Sequence, residues 1–385
     1  MTTSSRPLTI MQVASCFTSW GGMELHLLNL SDQLRARGHR VIVAAQPNGW
    51  VLPRAQAMGL ETLEATVRRQ QDWRDFGRYQ AFLLREKVDI IHTHTNWDAV
   101  VPAVAARLAG VPVALMTWHL PFPFKDRRGG DLMMSLLYKR MIAISGSVRD
   151  RHIEHGISPH KIEVIHHGTD TVGFRAVTLD AASVRTGLGL PPDVVAVGIV
   201  GRVSPEKGHS DLLEALRLLA CTHSRLHAVV VGDGVDAPRL RQEAVEKGIA
   251  DRVIFTGFRD DVNNVIAALD MVAVPSIWHE PCSAVIQQAM ALSKPVIGSR
   301  MGGTPEMIVE GRTGLLVPAS DPAALAEAIA KLASDPVLRA QMGEVGAARA
   351  EDLFTLSHMT NQVEALYYAE LAQARPARLR AVTAS

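Results

Sequence analysis

Short apolar runs alternate with amphipathic segments from one end of the chain to the other, and this alternation restricts the fold more than any single motif. "LTIMQVAS" reads as a strand, and Met23, Leu27, Leu30 and Leu34 then recur at spacings of four, three and four, as one face of a helix requires. Gly38 stops that helix, and "RVIVAA" follows as the next strand. "KVDIIHTH", "VPVALMTWH" and "RMIAIS" continue the series, the first two separated by a helix around Val100 to Leu108. Continuous apolar strands with helices between them make a parallel sheet covered on both faces. The pattern restarts with "VVAVGIVG", "LHAVVVGDG", "RVIFTGF", "MVAVPS", "KPVIGS" and "GLLVP". The restart follows "KIEVIHHGTDTVGF" and the Pro-Pro of residues 191–192. The expected architecture is α/β: two Rossmann-like doubly wound domains, 1–170 and 171–355. Residues 356–385 are expected as a helix returning to the first domain, with a frayed basic tail. Strand ends facing a cleft between such domains are the default place for a ligand.

A length of 385 residues fits about two domains. The formal net charge of +1 excludes a global basic field for nucleic acid. Cys16, Cys221 and Cys282 are few, odd in number and far apart, which argues for a reducing cytoplasm and against a disulfide framework or a zinc site. The start "MTTSSRPLTIMQVAS" carries no signal-peptide pattern. The longest apolar stretch, "AVVPAVAARLAGVPVALM", is broken by Arg107 and two prolines and reads as helix, turn and strand. The expected location is the cytoplasm, with room for a peripheral contact at the inner membrane face.

Four places carry candidate chemistry. "VVAVGIVGRVSPEKGHSDLLEAL" sets Gly201 and Arg202 at a strand end and Lys207 just before a helix. Two cations then bracket a helix start, where free N–H groups and the dipole already favour an anion, although single charges in such loops are usually just solvated. The Walker pattern is absent, which disfavours a kinase or ATPase. In "SWGGMELHLLNL", Gly21 and Gly22 would let a ligand approach the backbone, or would simply make a tight turn. No G-x-G-x-x-G accompanies them, so a nicotinamide oxidoreductase is disfavoured. In "HEPCSAVIQQAM", Glu280 precedes a helix that Pro281 and Ser283 suit as first-turn or cap residues. Gln288 on this apolar helix must face a ligand or find a protein partner. Finally, His119 ends the strand "ALMTWH", a position open to a structural or a functional role, whereas His92 and His94 read as structural. The fifteen histidines show no H-E-x-x-H spacing, and no Asp-x-Asp occurs to hold a divalent metal on a diphosphate.

Taken together, these motifs resemble the glycosyltransferases of family 4, retaining enzymes of the GT-B fold. The likeness rests on "GGMELHLLNLSDQLRARGHRV", "DIIHTHT", "MTWH", "AISGSVRDRHIEHG", "KIEVIHHGTDTVGF", "GIVGRVSPEKG", "VVVGDG", "VIFTGF", "HEPCSAVIQQAMALSKPVIGSRMGGTPEMI" and "GRTGLLVP", in that order along nearly the whole chain. It implies transfer of a sugar from a UDP-, GDP- or ADP-linked donor to an acceptor hydroxyl of a surface glycan, glycolipid or small metabolite, without a metal cofactor. By position, Arg202 and Lys207 would hold the donor diphosphate and stabilise it as it leaves. Gly21, Gly22 and Gly201 would lie at the phosphates, Gly22 through its N–H. Glu280 would bind the donor sugar, and the amides near Ser283, Ala284 and Val285 would support the phosphates. His119 would lie against the transferred sugar, and Phe258 and Arg259 of "GFRDD" near the base. Two positions depart from the family pattern. Gln288 stands where the ribose-binding Glu is usual, and "PCSAV" replaces the commoner aromatic-glycine pair. Two rivals share this architecture, a sugar-nucleotide 2-epimerase-like isomerase and a non-catalytic nucleotide-sugar-binding protein. On the acceptor side, residues 118–128 join Trp118, Phe122 and Phe124 to Lys125, Arg127 and Arg128. Such a segment suits an anionic membrane surface, an anionic acceptor, or a loop of solvated charges.

Overall fold

The computed structural model describes residues 6–14, 21–66, 73–95, 99–121 and 134–382, with side chains as far as 374. It divides into two compact units, one of Met1–Gly168 with Leu356–Ser385 and the other of Thr169–Thr355.

The first unit is built on a seven-stranded parallel sheet: β1 (Thr9–Ala14), β2 (Arg40–Ala45), β3 (Glu61–Glu64), β4 (Ile90–Thr93), β5 (Val113–Trp118), β6 (Arg140–Ala143) and β7 (Ile162–Val164), in the order β3-β2-β1-β4-β5-β6-β7. Side chains alternate between its faces. Ile10, Val41 and Val43 pack with Leu27, Leu30 and Leu34 of the helix Gly22–Ala36, while Met11, Val13 and Ile42 meet Tyr79 and Leu83 on the opposite face. The helix Leu356–Val382 adds Met359, Val363 and Tyr367 to the first of these clusters.

The second unit carries six parallel strands: β8 (Val195–Val200), β9 (Leu226–Val231), β10 (Val253–Gly257), β11 (Met271–Val274), β12 (Val296–Ser299) and β13 (Gly314–Val317), in the order β10-β9-β8-β11-β12-β13. Helices cover both of its faces, burying Leu212 and Leu216 on one and Ile286 and Met290 on the other. The sequence reading did not include β3, "ETLE", or β7, "IEV". Both are short and lie at the sheet edges, where one side of the ladder is unpaired and polar residues are tolerated. Among the described residues, no helix is long and apolar enough to cross a membrane.

Buried neutral histidines make this fold sensitive to acid. In the first unit, burial pushes His92 down to about 3 and His152 down to about 4; in the second, burial pushes His209 down to about 4. Below about pH 6.5 the unfolded chain takes up protons at these rings while the folded chain does not. Stability is therefore full above that pH and falls with acidification, by about 1.4 kcal/mol per pH unit per group. At pH 5 the loss is about 4 kcal/mol for the two rings of the first unit and about 2 kcal/mol for the one in the second. Denaturant unfolding with hydrogen exchange at both pH values should show the first unit weakening more. Equal protection at the two pH values would contradict this account of the rings.

Candidate functional site

In the second sheet, β8 and β11 lie side by side, yet the chain leaves β8 toward β9 on one side and β11 toward β12 on the other. Loops leaving the carboxyl ends of two such strands diverge and open a crevice, the usual ligand position in an open parallel sheet. The loop after β8 carries Gly201, Arg202 and the single 3-10 turn Pro205–Lys207, and then enters the helix His209–Leu218. The loop after β11 carries Ser276 and Glu280, and then enters the helix Ala284–Ala291.

These two loops are tied together. Lys207 Nζ lies 2.7 Å from Glu280 Oε2, an ion pair in which both side chains are largely shielded. Ser276 Oγ donates to the same Glu280 oxygen at 3.0 Å. The Ile277 N–H donates to the Glu206 carbonyl at 3.0 Å, joining the loops through their backbones. Glu206 itself is held below the usual carboxylate range, first by the Ser204 hydroxyl, which donates at 2.7 Å, and then by the charges of Arg202 and Lys207. Arg202 is exposed and forms no salt bridge among the described residues. One cation is thus held by a carboxylate, and its neighbour is open to an incoming anion.

Glycines set how closely these loops approach. Gly208 has φ +74, and a Cβ there would fall 1.9 Å from the Pro275 carbonyl oxygen. Gly302 has φ +60, a Cβ there would fall 2.4 Å from the Glu280 carbonyl oxygen, and the next residue, Gly303, donates its N–H to that oxygen at 2.8 Å. The loop after β11 is therefore approached closely at two points, Pro275 and Glu280, and only glycine fits opposite either.

The helix Ala284–Ala291 separates its two adjacent amides. Gln287 is fully buried; its Oε1 accepts from Thr169 Oγ1 at 2.6 Å and its Nε2 donates to Cys282 Sγ at 3.6 Å. Gln288 is half-buried and makes no side-chain hydrogen bond among the described residues, which leaves its amide for a ligand. Ser283 caps the helix through its position alone, without a side-chain bond, so the first-turn N–H groups at Ala284 and Val285 stay open. Phe258, just beyond β10, is exposed, and Arg259 is engaged by both oxygens of Asp261 at 2.7 Å.

The first unit gathers its candidates in the same way, at carboxyl ends of strands. Gly21 precedes the helix Gly22–Ala36 in extended conformation, and Gly22 is exposed, with none of the described residues within 4 Å of where a Cβ would stand. His119 is buried between two other rings: its Nε2 lies 3.3 Å from His94 Nδ1 and its Nδ1 lies 2.9 Å from His167 Nε2. His94 Nε2 donates to Gln12 Oε1 at 2.7 Å, and His92 is held between Tyr367 and Thr117, both at 2.7 Å. Burial, with repulsion between the rings, holds His26, His94, His119 and His167 well below the ordinary histidine range, so all are neutral at pH 7.

Trp118 departs from its expected place in an exposed aromatic and basic patch. It is only 2% exposed, and its ring stacks on His152 at 3.7 Å between centroids. The patch residues Phe122, Phe124, Lys125, Arg127 and Arg128 lie outside the described residues. Sequence reasoning missed Ser276, Glu206, His26 and His167 as neighbours of the candidate groups. The hydroxyl four residues before Glu280 and the carboxylate next to Lys207 were the local signals; the histidines become neighbours only through the sheet topology.

Residues 183–349 match the family model described as glycosyl transferases group 1, and residues 20–172 match that of glycosyltransferase family 4. The chain is 30% identical over 304 residues to the D-inositol 3-phosphate glycosyltransferase of Stackebrandtia nassauensis, a match covering 72% of this chain and 68% of that protein. To the protein of the same name from Streptomyces avermitilis it is 30% identical, over 68% of this chain but only 61% of that one. The alpha-maltose-1-phosphate synthase of Mycolicibacterium smegmatis is 29% identical over 73% of this chain and 79% of its own length. Among solved structures, Anabaena HepE in complex with UDP superposes with a TM-score of 0.82 at 25% identity, over 94% of this chain and all of that one. A Rickettsia africae glycosyltransferase shares the fold with a TM-score of 0.87 at 22% identity, over 95% of this chain and 99% of that one.

Proposed function

The chain belongs to glycosyltransferase family 4, the group 1 glycosyl transferases, with two Rossmann-like units of the GT-B fold class, and from this premise we propose that it is a retaining, metal-independent enzyme using a nucleotide-diphosphate sugar. The observation that carries the reading is the Lys207–Glu280 pair at the β8/β11 crevice, with Arg202 open beside it. The donor diphosphate would meet Arg202, Lys207 and the open N–H groups of the helix Ala284–Ala291, which together offset the charge that builds as it leaves. Those cations would take the role that a divalent metal plays elsewhere. Glu280, fixed by Lys207 and Ser276, would accept hydrogen bonds from the donor sugar's hydroxyls. That HepE was solved with UDP supports a uridine nucleotide as the first donor to try.

In the proposed reaction, the bond from the anomeric carbon to the diphosphate oxygen breaks while the acceptor oxygen attacks the same face. The acceptor's proton passes to the departing phosphate oxygen. His119 would contact the transferred sugar, and the acceptor would be a surface glycan, a glycolipid or a small metabolite. Any contact with an anionic membrane would involve the segment 118–128 without Trp118. The named relatives are glycosyltransferases and a synthase, which leaves an isomerase without support. The stereochemical claim is tested by proton NMR of the product. An anomeric configuration equal to that of the donor is expected, and an inverted one would refute retention.

Gln288 is assigned to the ribose hydroxyls. Gln288→Glu adds a charge-assisted bond where an amide now accepts, a gain expected to strengthen donor binding by about threefold or more. Calorimetric titration with donor reads this directly. Unchanged affinity and turnover would remove Gln288 from the ribose site.

A further inference from the structure

The strongest unassigned feature is the group of histidines at the carboxyl ends of the first sheet. One ring nitrogen from each of His26, His119 and His167 lies within 4.8 Å of the others. His26 is buried, and among the described residues neither of its ring nitrogens has a hydrogen-bond partner. A neutral imidazole offers one donor and one acceptor, and among the described residues this buried ring has neither engaged.

The surrounding bonds direct lone pairs into this cluster. Gln12 Oε1 can only accept, so His94 donates from Nε2 and its Nδ1 carries a lone pair. His119 therefore donates from Nε2 to His94, which leaves the His119 Nδ1 lone pair facing His167 Nε2 at 2.9 Å. Outward donation from one nitrogen with a free lone pair on the other is how protein-bound metals hold their histidine ligands. The chain of bonds runs on through Gln12 Nε2, which donates to Tyr367 at 3.1 Å, so the tautomer of His119 is held by a network that spans β1, β4 and the helix Leu356–Val382.

We propose that His26, His119 and His167 form a binding site for a divalent transition metal of the zinc class, with a water as fourth ligand. The ion takes the place of the proton between His119 Nδ1 and His167 Nε2, and that proton moves to His167 Nδ1. No net charge leaves the protein. Tetrahedral zinc holds nitrogens at about 2.0–2.1 Å, hence about 3.3 Å from one another. The 2.9 Å pair needs to open slightly, and His26, whose ring stacks on His167 at 4.2 Å between centroids, needs to tilt toward it. His167 retains partial exposure, which gives the ion a way in. If His119 faces the transferred sugar, an occupied site removes that contact; this consequence rests on the reading above, whereas the site itself does not.

The test uses tag-free, chelator-stripped full-length protein titrated with Zn2+ against a chromogenic chelator, and with Co2+ followed by its visible absorption. One equivalent is expected to bind with the intense spectrum of four-coordinate Co2+. His26→Ala and His167→Ala are each expected to weaken binding by about tenfold or more. His160→Ala, an exposed histidine away from the cluster, should leave it unchanged. If His26→Ala loses its fold by circular dichroism, His167→Ala decides alone. The proposal is overturned if no stoichiometric binding occurs, or if wild type and the His167 variant bind alike. Donor binding is measured in parallel, so loss of the metal site and loss of the transferase reading give separate results.

Discussion

Lys207→Ala is expected to lower kcat/KM for the donor by about 100- to 1,000-fold, the usual cost of removing one preorganised group from a developing negative charge. Lys207 closes the single 3-10 turn after β8 and is already aimed into the crevice by Glu280 at 2.7 Å, so no ordering has to be supplied when a diphosphate arrives. Removing it leaves Arg202 as the remaining cation of this loop and leaves Glu280 facing the diphosphate without its counter-ion. Most of the loss should therefore appear in kcat, with a smaller rise in KM. Steady-state kinetics with a saturating acceptor separates the two, and a fall of less than about fivefold would remove Lys207 from the leaving-group site.

Glu280→Gln should give the second large loss, about 100-fold in kcat/KM, but with a different signature. The amide keeps the shape and removes the charge that binds Lys207, so the lysine is freed toward phosphate. Free nucleoside diphosphate should then bind as well as before or better, while transfer of the sugar falls. Opposite effects on the two ligands distinguish a sugar-binding carboxylate from a general support of the loop. Because Lys207 and Glu280 touch, the double variant should lose less than the sum of the single losses. Equal weakening toward diphosphate and sugar nucleotide would show that Glu280 serves only to hold the loop.

How much of this was legible beforehand depends on the kind of residue. Strands such as "RVIVAA" and "LHAVVV" announce themselves because a parallel strand covered on both faces must be apolar throughout. "ETLE" and "IEV" do not, because an edge strand takes its stability from one neighbour and needs no apolar run. The glycine and charge spacing around Arg202, Lys207 and Glu280 singled out those residues as candidates. Their meeting was not written there, since Glu280 reaches Lys207 from 73 residues away. Gln287 and Gln288 are adjacent and identical in type, and helical periodicity alone does not say which of them turns inward. The answer comes from Thr169, 118 residues from Gln287, whose hydroxyl satisfies the buried amide, while Gln288 is half-buried with no side-chain bond among the described residues. Trp118 closes β5 and could have faced either way; the ring of His152 gives it an inward partner. The histidine cluster had no sequence spacing at all, because its members come from a helix, the end of β5 and the segment after β7, and only the sheet order makes them neighbours.

Binding of a nucleotide sugar in the second unit is the central claim, and a titration panel tests it most directly. Purified wild type and Lys207→Ala are heated with UDP, GDP, ADP and dTDP and with the corresponding sugar nucleotides, since a ligand of the folded state raises its stability by mass action. At least one nucleotide and its sugar conjugate should raise the melting temperature of wild type, and the rise should largely vanish in Lys207→Ala. No stabilisation by any member of the panel, or stabilisation equal in the two proteins, would contradict the account.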